Sequence, residues 1–158
     1  MILAIDPGSV QSAFCLIDEA SFRPVRFAKV HNPELLSGIA GMDAGSVVIE
    51  RVASYGQAVG RDVFATCEWI GRLTEAAVRD GKAVHYIYRR EEKAALCGRM
   101  NAGDADVRRA LIDRFAAFDL RSGKGTKKRP DWFYGFAADV WQAYAVGVTF
   151  MDKTRKEV

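Results

Sequence analysis

The chain has 158 residues, of which 49% are hydrophobic and 27% are charged. This length and composition predict a single globular domain over residues 1–158, and they exclude a disordered tail. The net charge of +3 is too small to indicate a nucleic-acid partner by itself. No run approaches 18 apolar residues and no signal-like leader precedes MILAID, so we expect a cytosolic protein without membrane contact.

Alternating and apolar runs predict five strands in the first 90 residues, at 2–6, 12–17, 22–30, 46–52 and 83–88. Pro24 indicates that the third strand lies at an edge of the sheet. The pair Asn32-Pro33 predicts the start of a helix that ends near Met42, with Asn32 as its cap.

Helices are predicted at about 60–79, 91–97, 104–117 and 136–151, followed by a short tail over 152–158. In the first of these, apolar spacing predicts a buried stripe of Val63, Cys67, Ile70, Thr74 and Ala77. The order of three strands, helix, strand, helix, strand and then helices indicates an α/β protein. It resembles the RNase H-like fold, a mixed five-stranded sheet flanked by helices.

Residues 121–130 (RSGKGTKKRP) carry five positive charges and no apolar side chain. We expect a mobile basic loop, because such a segment cannot bury itself. Its like charges favour contact with phosphates, although a merely solvated loop has the same composition. The aromatic run at 132–134 is expected to anchor the loop.

The candidate metal ligands are acids, because three scattered cysteines and two solitary histidines indicate neither disulfides nor zinc. Asp6 and Glu50 each stand at the end of an apolar strand, and Asp139 stands near the start of the last helix. Neighbouring carboxylates repel unless a divalent cation lies between them, and oxygen ligands favour Mg²⁺, with Mn²⁺ as a substitute. The alternative is that Asp6 caps a turn and Asp139 caps a helix.

Three segments, ILAIDPGS, VVIERVASYGQ and ADVWQAYAVGV, resemble in order the active-site segments of RuvC-type Holliday junction resolvases. The resemblance covers nearly the whole chain and is nearest to phage or prophage members. It implies a magnesium-dependent endonuclease that resolves four-way or other branched DNA by two-metal-ion phosphodiester hydrolysis. It also implies a bacterial or phage-infected host cytosol and no small-molecule cofactor.

The resemblance places Asp6, Glu50 and Asp139 as catalytic metal ligands. The family commonly has a second acid three residues after the position of Asp139, where this chain has Gln142, which can ligate a metal but brings no negative charge. Lys93 matches a basic catalytic residue of the family. Asp104 stands near the place of a second lysine.

DNA contacts are expected from the loop after Glu50, where Tyr55 could stack on an unpaired base or pack within its own loop. The residues assigned to DNA are Arg51, Tyr55, Arg89, Arg90, Lys124, Lys127, Lys128 and Arg129. Because a four-way junction is two-fold symmetric and needs two cuts, we expect a homodimer, with the helix at 60–79 as its contact.

Two other functions fit the same residues. Gln142 favours a branched-DNA-binding protein with weak or no cleavage. The same residues also fit a nuclease with a broader preference for flaps, forks or RNA–DNA hybrids. An actin-like ATPase or sugar kinase also opens with a strand, an aspartate and a glycine, but it needs a second phosphate loop and a much longer chain.

Overall fold

The computed structural model describes residues 1–157 and contains a five-stranded sheet in the order β3-β2-β1-β4-β5. The strands are β1 (Ile2–Asp6), β2 (Gln11–Ile17), β3 (Pro24–His31), β4 (Ser46–Arg51) and β5 (Ala83–Tyr88). The first three strands are antiparallel neighbours, whereas β4 runs parallel to both β1 and β5. The predicted mixed five-stranded sheet is therefore confirmed.

Helices cover both faces of this sheet. They are α1 (Asn32–Gly38), α2 (Arg61–Arg79), α3 (Arg89–Cys97), α4 (Asp104–Phe115) and α5 (Val140–Lys156), with a short 3-10 turn at Ile39–Gly41. Alternate side chains of β1 point to opposite faces. Ile2 and Ala4 join the core under α5, whereas Leu3 and Ile5 join the core under α1 and α2. No helix among residues 1–157 is long and apolar enough to span a membrane.

Helix α5 lies unusually close to the sheet. A Cβ atom added at Gly147 would lie 2.4 Å from Cδ1 of Ile17 and 3.0 Å from Cβ of Ala4. A larger residue would push the helix outward, because cores at native density have no room for extra methyl groups. This close crossing fixes Asp139, the cap residue of α5, relative to β1 and β2.

Three local predictions are wrong. Asn32 does not cap α1, since His31 is the cap residue and the Asn32 side chain is buried. Its amide instead accepts a hydrogen bond from Ser12 Oγ at 2.6 Å and donates one to the Gly8 carbonyl at 2.9 Å, which holds the turn after β1.

The last helix begins at Val140 rather than Phe136, because the backbone just before it is left-handed. Gly135 has φ +87° and Ala138 has φ +44°, which interrupts a right-handed helix. The buried face of α2 also differs from the predicted stripe. Leu73 is fully buried, whereas Cys67 is exposed.

Candidate active site and nucleic-acid interface

Asp6 and Glu50 lie side by side at the carboxyl ends of β1 and β4. The parallel register pairs Ile5 with Ile49, so the next residue of each strand is an acid. Glu50 is only 7% exposed, and its Oε2 has no hydrogen-bond partner. Two carboxylates are thus held together at the edge of a largely apolar sheet.

This placement makes the pair costly to ionise. Burial, followed by the negative charge of Glu50, raises the pKa of Asp6 to about 8. Burial also raises the pKa of Glu50, although the Arg89 guanidinium acts in the opposite direction. Bringing a cation to the pair would relieve both the desolvation and the repulsion.

Asp139 stands close enough for its charge to raise the pKa of Asp6 further. It occupies the cap position of α5, yet its side chain makes no capping hydrogen bond. Its Oδ2 instead accepts a hydrogen bond from Lys29 Nζ of β3 at 2.5 Å. Among the described residues, no three Asp, Glu, His or Cys side chains are grouped closely enough to hold one metal ion. The third acid is near the pair but is bound to a lysine.

Gln142 is 6% exposed, and its Oε1 is buried without a hydrogen-bond partner. It follows Asp139 by three residues, which places both on one side of the first turn of α5. A buried amide oxygen that accepts no hydrogen bond can bind a cation or a water through its free lone pairs.

A further acid, Glu92 of α3, was not among the predicted site residues. It is fully buried, and neither of its carboxylate oxygens has a hydrogen-bond partner. The sequence signal was weak, because Glu92 lies in the charged run RREEK, where an outward-facing acid is the usual expectation.

Arg89, expected to contact DNA, lies among acids. Its Nη1 donates to Glu50 Oε1 at 3.2 Å and its Nη2 to Asp104 Oδ1 at 3.0 Å. Lys93 Nζ lies 4.0 Å from the same Asp104 oxygen. Asp104 thus holds two cations beside Glu50, at the position where the resemblance led us to expect a lysine.

Arg51, Tyr55 and Arg89 line a cleft of about 330 Å³ together with Asp6 and Glu50. Tyr55 is 46% exposed and has a positive φ of 49°. The guanidinium of Arg90 lies 3.6 Å from the centre of its ring, a cation–π contact. The aromatic ring is therefore presented at the mouth of the acidic cleft, stacked on an arginine.

Two aspartates, Asp119 and Asp131, hold the basic loop by accepting hydrogen bonds from backbone N–H groups. Both Asp131 oxygens accept backbone N–H groups, four in all, from Ala117, Phe118, Asp119 and Trp132. Asp119 accepts from the amides of Arg121, Ser122 and Gly125. Gly123 is buried against Phe133, which confirms the expected aromatic anchor.

The expectation that this segment cannot bury itself is therefore wrong for its first half, where Gly123 is buried. Side-chain acceptors replace the apolar contacts that the loop lacks. Lys127, Lys128 and Arg129 remain exposed at its tip, whereas Lys124 is half-buried. The Arg129 guanidinium lies 4.1 Å from the centre of the Phe118 ring.

The donor set at the cleft suits a hard divalent cation. All of the candidate ligands are carboxylate or amide oxygens, and buried oxygens of Glu50, Glu92 and Gln142 have no partner. Unsatisfied buried acceptors are rare in folded proteins and need a physical reason. A divalent cation bound by these oxygens would be such a reason.

Two solved structures share this architecture. Thermus thermophilus RuvC superposes with a TM-score of 0.68 over 99% of this chain and 96% of its own length, at 16% sequence identity. The chain has the fold of RuvC. A second structure, T. thermophilus RuvC in complex with a Holliday junction substrate, superposes with a TM-score of 0.66 at 16% identity, covering 98% of this chain and 94% of that one. No family model and no curated protein sequence matches the chain.

Proposed function

We propose that this protein is a divalent-metal-dependent endonuclease that cuts four-way DNA junctions. The observation that carries the proposal is the buried pair of Asp6 and Glu50 at the ends of neighbouring parallel strands, within the fold of RuvC. The solved RuvC complex with a Holliday junction supports branched DNA as the substrate class.

In this proposal Asp6, Glu50 and Asp139 hold the metal, with Gln142 as a neutral oxygen ligand. When bound, Mg²⁺ or Mn²⁺ would activate a water for attack on the phosphorus and stabilise the sugar oxygen that leaves. Asp139 has to exchange Lys29 for the cation, and this exchange frees the Lys29 ammonium to contact a phosphate. Lys93 and Arg89 place positive charge beside Glu50, where they can stabilise negative charge on the phosphate.

DNA binding is assigned to two regions. Arg51, Tyr55 and Arg90 surround the mouth of the acidic cleft, where Tyr55 can exchange its arginine for an unpaired base. The exposed tip of the basic loop contacts phosphates. Both assignments stay predictions until they are tested.

We also propose a homodimer, since a two-fold symmetric junction presents two equivalent scissile bonds. Helix α2 is the proposed contact, because Phe64 is 60% exposed and Val78 is 55% exposed on its outer side. The cytosol, where chromosomal or phage DNA is accessible, is the proposed location.

The second candidate function is junction binding without efficient cleavage. Gln142 and the ion pair between Asp139 and Lys29 favour it, because both reduce the negative charge available to a metal. One experiment separates the two functions.

The experiment incubates a labelled four-way junction with wild-type protein and Glu50→Gln, in EDTA, Mg²⁺ or Mn²⁺. We expect symmetric cuts only for wild type with a divalent ion, and junction binding by Glu50→Gln that is equal to or tighter than that of wild type in gel shifts. Asp43→Asn, an exposed acid outside the cleft, is the matched control. Wild-type binding without cuts in either metal would support the second candidate, and cleavage in EDTA would contradict the metal site.

A further inference from the structure

Glu92 has surroundings that a carboxylate rarely has in a folded protein. Its side chain is fully buried, and both of its oxygens lack hydrogen-bond partners. Burial without a partner is unfavourable for the ionised form, and it leaves acceptors unsatisfied in the protonated form too. A ligand bound by these oxygens would explain why the side chain is buried without hydrogen-bond partners.

Helix α3 places this carboxylate near the acids of the cleft. Arg89, the first residue of α3, bonds Glu50 at 3.2 Å. Glu92 follows Arg89 by three residues and therefore lies on the same side of the helix. Burial, together with the charges of Glu50 and Asp6, raises the pKa of Glu92 to about 8, so its carboxylate lies within the electrostatic reach of both acids.

The neighbouring acid excludes a helix-capping role for Glu92. Glu91 already performs it, since its Oε2 accepts the Tyr88 backbone N–H at 2.8 Å and its Oε1 accepts Lys153 Nζ at 2.7 Å. These donors lower the pKa of Glu91. Two adjacent glutamates of one helix thus have opposite surroundings, and only the inner one lacks partners.

We propose that Glu92 is the fourth acidic residue of the divalent-metal site, supplied by α3 in place of the acid that is absent at Gln142. The proposal rests on the proposed function, because it assumes a metal at Asp6 and Glu50. It accounts for the orphaned oxygens of Glu92 and restores the negative charge that an amide at position 142 does not provide. The ligand class is a hard divalent cation, Mg²⁺ or Mn²⁺.

Metal binding without DNA tests this role. Mn²⁺ is titrated calorimetrically into wild type, Glu92→Gln and the matched control Glu91→Gln, and the increase in melting temperature on adding Mn²⁺ is measured in parallel. We expect Glu92→Gln to weaken Mn²⁺ binding by about ten-fold or more and to lose most of the thermal increase. Glu91→Gln is expected to bind Mn²⁺ like wild type, although it loses the ion pair with Lys153.

Glu92→Met guards against a variant that fails to fold, since it keeps the volume and removes the unsatisfied oxygens. We expect it to melt above wild type in EDTA and to bind Mn²⁺ as weakly as Glu92→Gln. Equal Mn²⁺ affinity in wild type and both Glu92 variants would overturn the proposal while leaving the proposed function intact. A wild type that binds no Mn²⁺ and cuts no junction would overturn both.

Discussion

Asp6 and Asp131 are the same residue type in opposite surroundings. Asp6 lies beside a second acid at the end of a buried strand, where burial and then the Glu50 charge raise its pKa to about 8. Although burial acts in the other direction, four backbone amides lower the pKa of Asp131 to about 2. The acid of the basic loop has both of its oxygens hydrogen-bonded to backbone amides, whereas Asp6 lies beside a glutamate whose Oε2 has no hydrogen-bond partner.

This difference separates acids that stabilise the fold from acids available for chemistry. A carboxylate that accepts several amide N–H groups contributes to stability, because its charged form is the bonded one. A carboxylate held near other carboxylates reduces the stability of the metal-free protein, and functional sites often carry that cost. We expect substitutions in the two regions to have opposite effects on stability.

The largest expected effect is on cleavage by variants of the cleft. Asp6→Asn and Asp139→Asn should each slow junction cleavage by about 1,000-fold, since losing about 4 kcal/mol of transition-state stabilisation amounts to three factors of ten. Junction binding should be unchanged or tighter, because negative charge facing phosphates is removed. Single-turnover cleavage and gel shifts measure the two quantities. An Asp139→Asn variant that cuts at the wild-type rate would identify Asp139 as the wrong third acid.

The basic loop should show the reverse pattern, with weaker binding and intact chemistry. Replacing four of its five cations, Lys124, Lys127, Lys128 and Arg129, by alanine removes positive charge that we assign to phosphate contacts. For each phosphate that is no longer neutralised, the slope of log K against log salt should fall by roughly 0.9. Binding isotherms at several salt concentrations measure the slope, with Lys156→Ala at the exposed end of α5 as control. An unchanged slope would mean that the loop points away from DNA.

Stability in EDTA tests the comparison of the two aspartates directly. Asp131→Asn should lower the free energy of unfolding by about 1–2 kcal/mol at pH 7, because hydrogen bonds to a charged acceptor are removed. Asp6→Asn should raise it by about 2 kcal/mol, because folding no longer has to add a proton to a buried carboxyl whose pKa rises from 3.8 to about 8. Urea denaturation measures both changes. Effects of the same sign would contradict the distinction between satisfied and unsatisfied acids.

The effect of Asp131→Asn should also depend on pH. The pKa of Asp131 is lowered by folding from 3.8 to about 2, so its contribution to stability is fully present above pH 4. It is lost as the pH falls through that window toward 2. The difference between wild type and Asp131→Asn should therefore be constant from pH 7 to 5 and shrink below pH 4.

The smallest expected effect concerns Gln142. Gln142→Glu adds a negative ligand beside the cleft, so the Mg²⁺ concentration at half-maximal activity should fall by about three-fold, roughly 0.6 kcal/mol. Gln142→Ala should reduce activity less than Asp139→Ala, since a neutral carbonyl contributes less to holding Mg²⁺. Activity measured across a magnesium titration gives the midpoints. An unmoved midpoint in Gln142→Glu would place residue 142 outside the metal shell.

Most of the fold was predictable because its strands are short apolar runs that end at turn residues. The sequence also indicated Asp6 and Glu50, since an acid that ends an apolar strand is conspicuous. The rest depends on helix orientation and on distant partners. Cys67 was placed on the wrong side of α2, because that helix has apolar residues on several sides.

The remaining site features have no local signal at all. The pair of Lys29 and Asp139 joins residues 110 positions apart. Glu92 lies in a run of charges, where no apolar spacing reveals which acid turns inward. The anchoring of the basic loop by Asp119 and Asp131 depends on backbone amides, which every residue except proline carries and no sequence pattern distinguishes.

The close crossing at Gly147 also sets the phase of α5. Gly147 fixes which side of the helix meets β1 and β2, and it lies eight positions after Asp139. Each residue of an α-helix turns by about 100°, so inserting or deleting one residue between them would rotate Asp139 away from Asp6. Insertions and deletions between Asp139 and Gly147 should therefore be far less tolerated than substitutions. This should hold although only one residue of that stretch, Gln142, is assigned to the cleft.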